Sequence, residues 1–261
     1  GTGTTGVGCL ITGRNFIGSE ISEDQVEYSI KRIEKINNFY NEDCLETIKR
    51  FGETKVDCVL TSPPYNMTKR KGGYADKQTR YDKYNDWKNE NEYKSWSCNI
   101  FNEIDKILKP NGTILYNFSY SIENPSLPYT LISSIIDNTP FTIADTIIWK
   151  KSNAIPHPAS YNRLNRIVEF IFVIVRKKEI KSFNCYKEIS KISPKGQKYY
   201  EIVDNFITAK NNDESTNLKG TGTTGVGCLI TGRNFIGSEI SEDQVEYSIK
   251  RIEKINKQKN E

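Results

Sequence analysis

Short apolar runs of strand length alternate with amphipathic helical stretches along most of this 261-residue chain, which restricts it to folds whose helices cross over between neighbouring strands. Residues 38–40 predict a short strand, followed by a helix through "CLETIKRF". "KVDCVLTSPPYN" predicts a buried strand on Val56, Val59 and Leu60 that ends in a proline-fixed turn. "EYKSWSCNIFNEIDKILKPNG" predicts an amphipathic helix stopped by Pro110 and Gly112, leading into the strand "TILYNFSY". "FTIADTIIW" and "IVEFIFVIVRK" are two further apolar strands in succession. The expected product is an α/β fold: a mostly parallel sheet with an antiparallel edge pair, in one domain over residues 1–261.

Composition excludes several classes. A net charge of +4 is too small to argue a nucleic-acid partner by itself, so the placement of Lys and Arg must decide. Six cysteines form no CxxC pair, and the single histidine, His157, sits in the loop "IPHPAS". No metal is implied; reduced thiols and a cytoplasmic protein are expected. The longest apolar run, 167–175, is interrupted by Glu169 and too short for a bilayer, so no membrane role is expected.

Residues 1–37 return unchanged as residues 220–256. Two identical copies so far apart are not a solenoid, and such identity is the mark of a recent duplication or an assembly join. Each copy reads as a glycine loop "GTGTTGVG", a helix, a short strand "NFIGSE" ending in an acid, and a helix capped by serine with apolar positions on one face. Glycine lets the backbone approach a ligand, the helix N-terminus favours an electron-rich group, and the acid suits ribose hydroxyls. That is half of a nucleotide-binding α/β unit. Asp43, just past the strand at 38–40, falls at the edge where ligands of open α/β sheets sit.

The turn "TSPPYN" at the end of a strand resembles the catalytic motif of the S-adenosylmethionine-dependent DNA amino-methyltransferases, and that resemblance implies an exocyclic base amine as the group it acts on. An exocyclic base amine is a poor nucleophile because its lone pair is delocalised into the ring. The Ser62 hydroxyl and the Pro63 carbonyl can each accept one amine N–H and direct the lone pair outward, while Pro63 and Pro64 hold the acceptors still. Tyr65 is placed to stack on the base, which must be flipped from the duplex to arrive there.

"TSPPYN" at a strand end, taken with "GTGTTGVG…NFIGSEIS", resembles the S-adenosylmethionine-dependent DNA amino-methyltransferases, which act on adenine N6 or cytosine N4. The resemblance spans nearly the whole chain and implies a Rossmann-like methyltransferase fold. Residues 38–261 follow the family's beta motif order, so the C-terminal copy is the expected one, with "KQKNE" as a natural terminus. It implies S-adenosyl-L-methionine as cofactor, held by Gly220, Gly222, Thr223, Thr224, Glu239 on the ribose and Asp43 on the adenine amine. If the N-terminal copy is used instead, Gly1, Gly3 and Glu20 take those roles. Serine at the first motif position leans the target to cytosine N4. The implied partners are double-stranded DNA, a cognate restriction endonuclease and a second copy of the chain. Two alternatives stay open: a truncated relic that binds DNA without catalysis, and an RNA or protein-glutamine methyltransferase.

DNA contact is expected from two basic segments. Residues 68–83 hold Lys69, Arg70, Lys71 and Arg80, with a Gly72–Gly73 hinge, and read as a mobile lid. Residues 176–198 carry eight basic side chains against Glu179 and Glu188, among them Lys177, Lys178 and Lys181. This second cluster overlaps 177–205, the place of the family's target-recognition segment. One departure stands out: the family precedes its glycine loop with an apolar strand, whereas Gly220 follows the polar "NNDESTNLK", so a stretch is expected to be missing there.

Overall fold

The computed structural model describes residues 38–52, 55–66, 89–119, 124–152, 154, 164–185, 187–209 and 223–260. The first copy of the repeat, the basic lid, His157 and the segment before Thr223 lie outside the described residues. In chain order the elements are β1 (Asn38–Tyr40), α1 (Cys44–Arg50), β2 (Val56–Thr61), α2 (Glu90–Ile107), β3 (Leu108–Phe118), α3 (Leu127–Asn138), β4 (Phe141–Lys151) and β5 (Val168–Arg176). A 3-10 helix (Lys177–Ser182), β6 (Lys187–Ile192), β7 (Lys198–Ile202), β8 (Phe206–Ala209), α4 (Thr223–Ile230), β9 (Ile236–Ser238) and α5 (Glu242–Asn260) follow. The α/β class read from the sequence holds. Among the described residues no helix is long and apolar enough to cross a membrane. The chain divides into two compact units.

The larger unit carries a five-stranded sheet in the order β2-β3-β5-β4-β8. β2 runs parallel to β3 and β4 parallel to β8, while β5 lies antiparallel to both β3 and β4. The two successive apolar runs do pair antiparallel, as their order predicts. Helix α2 starts where the Asn89 side chain accepts from the Asn91 amide, and it buries Tyr93, Ser97, Phe101 and Ile104, a stripe at three- and four-residue spacing. Phe101 packs edge-on against Tyr116 at 5.3 Å and Phe141 at 5.8 Å, tying helix to sheet.

Two expectations are corrected here. Strand β2, expected to be buried through Val56, Val59 and Leu60, is only half-buried at Val56 and Val59. Among the described residues it lies at one edge of the five-stranded sheet, paired with β3 alone, and Leu60 is exposed. Helix α2 also ends at Ile107, before the expected stop, and Leu108 already pairs with Val56. Pro110 disfavours helical geometry at Lys109 and has no N–H to donate to the Lys106 carbonyl, which accepts from Lys55 Nζ instead. The extra residues loop out between the Val56↔Leu108 and Cys58↔Thr113 pairs through Asn111, at φ 58. A Cβ on Gly112 would lie 2.6 Å from Leu108 Cγ, so this bulge needs glycine.

Beyond the sheet, β6 and β7 form a separate antiparallel hairpin, closed by a turn with Gly196 at φ 79 and exposed along both strands. It falls inside the segment 177–205.

In the smaller unit β1 pairs parallel with β9, so the strand after Ile36 joins the strand of the second repeat copy. Val226, Phe235 and Ile252 form its core, with Phe39, Cys228 and Leu229 packed around it. Val245 and Ile252 of α5 are buried, as the helical spacing predicts. Gly237 has no room for a side chain: its Cβ would sit 2.5 Å from the Phe39 ring. Gly237→Ala is therefore expected to push Phe39 off Phe235, 5.5 Å away between ring centroids, at a cost of about 1–3 kcal/mol. Chemical denaturation followed at both units measures it, and an unchanged midpoint would show that the ring moves freely.

Candidate active site

Strand β2 hands the chain to Ser62, which is exposed, then to buried Pro63 and half-buried Pro64, Tyr65 and Asn66. The Tyr65 ring lies 5.0 Å from Phe118 at the end of β3. Its hydroxyl donates to Glu169 Oε2 at 3.2 Å and lies 3.1 Å from Ser62 Oγ. Asn117 Nδ2 donates both to Tyr65 Oη, at 3.2 Å, and to Glu169 Oε2, at 3.1 Å. The remaining carboxylate oxygen, Glu169 Oε1, pairs with Lys151 Nζ at 2.5 Å. Tyr93 Oη donates to the Pro64 carbonyl at 2.5 Å, so α2 braces the turn from behind. Four motif residues predicted from sequence are thus joined within one unit to Tyr93, Asn117, Lys151 and Glu169, which sequence inspection did not single out as functional.

Glu169 had a visible signal. It is the one charge inside the apolar run 167–175, and it is only 7% exposed. A buried carboxylate costs several kcal/mol unless it is paired and hydrogen-bonded, and this one is both. Asn117 is buried as well, and its Oδ1, like that of Asn66, has no hydrogen-bond partner among the described residues.

In the smaller unit the two acids assigned to the cofactor fall at the carboxyl ends of the paired strands. Glu239 follows β9, its amide donates to the Tyr40 carbonyl at 3.0 Å, and its Oε1 accepts from the amides of Ile240 and Ser241. Asp43 follows β1 and caps α1, with Oδ1 accepting from the Leu45 amide at 2.8 Å. Thr223 opens α4 and Thr224 is exposed on it. Gly220 and Gly222, and Gly1, Gly3 and Glu20 of the first copy, lie outside the described residues. Next to Asp43, burial and then the neighbouring carboxylate push the Cys44 thiol up to about 12, so it is no nucleophile at neutral pH.

Of the basic residues, Lys69, Arg70, Lys71 and Arg80 lie outside the described residues. Lys178 and Lys181 are exposed on the 3-10 helix, and Lys177 Nζ donates to the Thr139 carbonyl at 2.9 Å. Arg176 is a correction. Counted among the eight surface bases, it is instead buried and bonds Asp105 and the carbonyls of Leu108 and Lys109. The hairpin presents Lys187, Lys191 and Lys198 beside exposed Ile189, Ile192, Tyr199 and Tyr200.

The family model described as DNA methylase, N6/N4 type, matches residues 56–219, more than half of the chain. Among individual proteins, the chain is 25% identical to the type II methyltransferase M.HinfI of Haemophilus influenzae, over 85% of this chain and 71% of that one. It is 24% identical to the type II methyltransferase M.PvuII of Proteus hauseri, over 72% of this chain and 56% of that one. Among solved structures, the cytosine-N4-specific PvuII DNA methyltransferase superposes with a TM-score of 0.58 at 19% identity, covering 81% of this chain and 84% of that one. The complex of M1.HpyAVI with S-adenosylmethionine superposes with a TM-score of 0.50 at 22% identity, covering 82% and 98%. The family match covers the proline turn, the β3–β5–β4 sheet and the exposed hairpin together, and on that evidence the chain belongs to the DNA methylase family.

Proposed function

We propose that the chain transfers the methyl group of S-adenosyl-L-methionine to an exocyclic base amine in double-stranded DNA, with cytosine N4 as the target, as the methyltransferase of a type II restriction-modification pair. The observation that carries this is the placement of Ser62 at the open end of β2, its hydroxyl within hydrogen-bond reach of a tyrosine that Asn117 and Glu169 hold. Ser62 Oγ and the Pro63 carbonyl each accept a hydrogen bond from one amine N–H and turn the nitrogen lone pair away from the ring. When bound, the cofactor supplies an electrophilic methyl on a sulfonium. The residues present suit it: Glu239, oriented by two backbone amides, offers a carboxylate for a ribose diol, and Asp43 lies at the end of the neighbouring parallel strand. Serine at the head of the motif and the cytosine-N4-specific name of a structural relative favour cytosine over adenine.

The hairpin β6–β7 and the exposed Lys178 and Lys181 are assigned to DNA, lysines to phosphates and the exposed tyrosine and isoleucine side chains to the groove, as in other β-ribbon readers. Incubation with labelled cofactor and duplex DNA, followed by nucleoside analysis, tests the whole: N4-methylcytosine is expected, N6-methyladenine would move the target base, and unlabelled DNA would overturn the activity.

The C-terminal copy is assigned as the cofactor half, supported by the pairing of β1 with β9 and the shared core of α4, β9 and α5. Glu239→Ala is then expected to weaken cofactor binding by about 1–3 kcal/mol, the cost of losing a buried hydrogen-bond partner, while Glu20→Ala leaves it unchanged. Calorimetric titration of both variants checks this, and loss in Glu20→Ala alone would transfer the role to the first copy.

A further inference from the structure

We infer that Glu169 is a positioning residue that, acting through Tyr65, fixes the Ser62 hydroxyl as a hydrogen-bond acceptor toward the target amine. The inference rests on the assignment of Ser62 as an amine acceptor and adds what makes it one. A serine hydroxyl is both donor and acceptor, and its proton turns to whatever neighbour takes it. If that proton faced the amine, Ser62 would compete with the nucleophile instead of drawing its lone pair out.

Counting protons settles which way it points. A carboxylate only accepts, so Glu169 Oε2 takes the single Tyr65 hydroxyl proton and one Asn117 N–H, and Oε1 takes Lys151. The same carboxylate fixes the Asn117 amide, since the reverse orientation would set oxygen against oxygen. Tyr65 Oη has then given its proton away and keeps two lone pairs. One receives the second Asn117 contact, and the other faces Ser62 Oγ at 3.1 Å. Ser62 must donate to Tyr65, and its own lone pairs are left for the exposed side, where the base would arrive. Burial of Glu169 strengthens the arrangement, because water does not compete with its acceptors.

The test is a double-mutant cycle on single-turnover methyl transfer to duplex DNA. E169Q is isosteric, but its amide can donate to Tyr65, which reverses the chain of donors and turns the Ser62 proton outward. Y65F removes only the hydroxyl and keeps the ring against Phe118. Each is expected to lower the transfer rate about tenfold or more with cofactor and DNA affinities near wild type; Y65F is expected to keep the melting midpoint as well, whereas E169Q, which leaves Lys151 Nζ without its carboxylate, is expected to lower it. Adding E169Q to Y65F is expected to change the rate by less than about twofold, because the path through Tyr65 is already cut. A merely structural Glu169 would slow both backgrounds alike, and that result overturns the inference. Y65F at the wild-type rate overturns it too, whether or not E169Q folds. An active wild type with an unaffected E169Q refutes this inference alone, whereas a wild type that labels no DNA removes the proposed function along with it.

Discussion

Ser62→Ala is expected to lower the methyl-transfer rate by about 10²–10³-fold, the scale on which loss of one oriented polar group at a reacting centre acts, while cofactor affinity stays within a few-fold. The alanine keeps the strand end and both prolines, so the turn stays fixed and only the acceptor is lost. The amine then retains one acceptor, the Pro63 carbonyl, and its lone pair stays largely in conjugation with the ring. Tyr65→Ala should be comparably damaging, for it removes both the stacking surface and the partner of the Ser62 hydroxyl. Single-turnover transfer measured beside calorimetric binding of the cofactor separates the two effects. A Ser62→Ala enzyme with the wild-type rate would remove Ser62 from the mechanism.

Arg176→Met is expected to destabilise the larger unit by about 3–5 kcal/mol, a large share of the total stability of an ordinary domain. The guanidinium lies at the end of β5 with its Nε 2.5 Å from Asp105 Oδ1 and its two terminal nitrogens within 2.9 Å of the carbonyls of Asp105, Leu108 and Lys109. These carbonyls belong to the last turn of α2 and the start of β3, where the helical ladder ends. Methionine has similar bulk but satisfies none of them, and it leaves the Asp105 carboxylate without its cation. Asp105 retains some solvent access, which keeps the cost from rising further. Urea denaturation should give a lower midpoint with an unchanged slope, and a loss below about 1 kcal/mol would mean that water replaces the arginine fully.

The fold was legible where the signal is local. Apolar runs at 56–60, 141–149 and 167–175 are strands, the stripe through Phe101 is a helix, and the pattern of the repeat unit returns as α4, β9 and α5 in the second copy. Serine, two prolines and tyrosine at a strand end identified the turn without help from any contact. Where local signals compete they were less reliable: Pro110 stopped α2 as expected, but through its effect on the preceding residues, so the helix closed at Ile107 and the strand began early.

What the sequence by itself determined, then, is the α/β class and the proline turn at the end of its strand, because periodicity and turn geometry depend on residues a few positions apart. The tertiary structure alone decided which distant residues meet that turn. Tyr65 reaches Glu169 across 104 positions and Asn117 across 52, contacts that exist because β3, β5 and β4 lie side by side. That order of strands also turned Arg176 from a surface base into a buried tie and left Leu60 exposed at the sheet edge. Neither outcome is written in a local pattern, since a strand's neighbours are set by how the whole chain closes over its core and not by the residues of the strand itself.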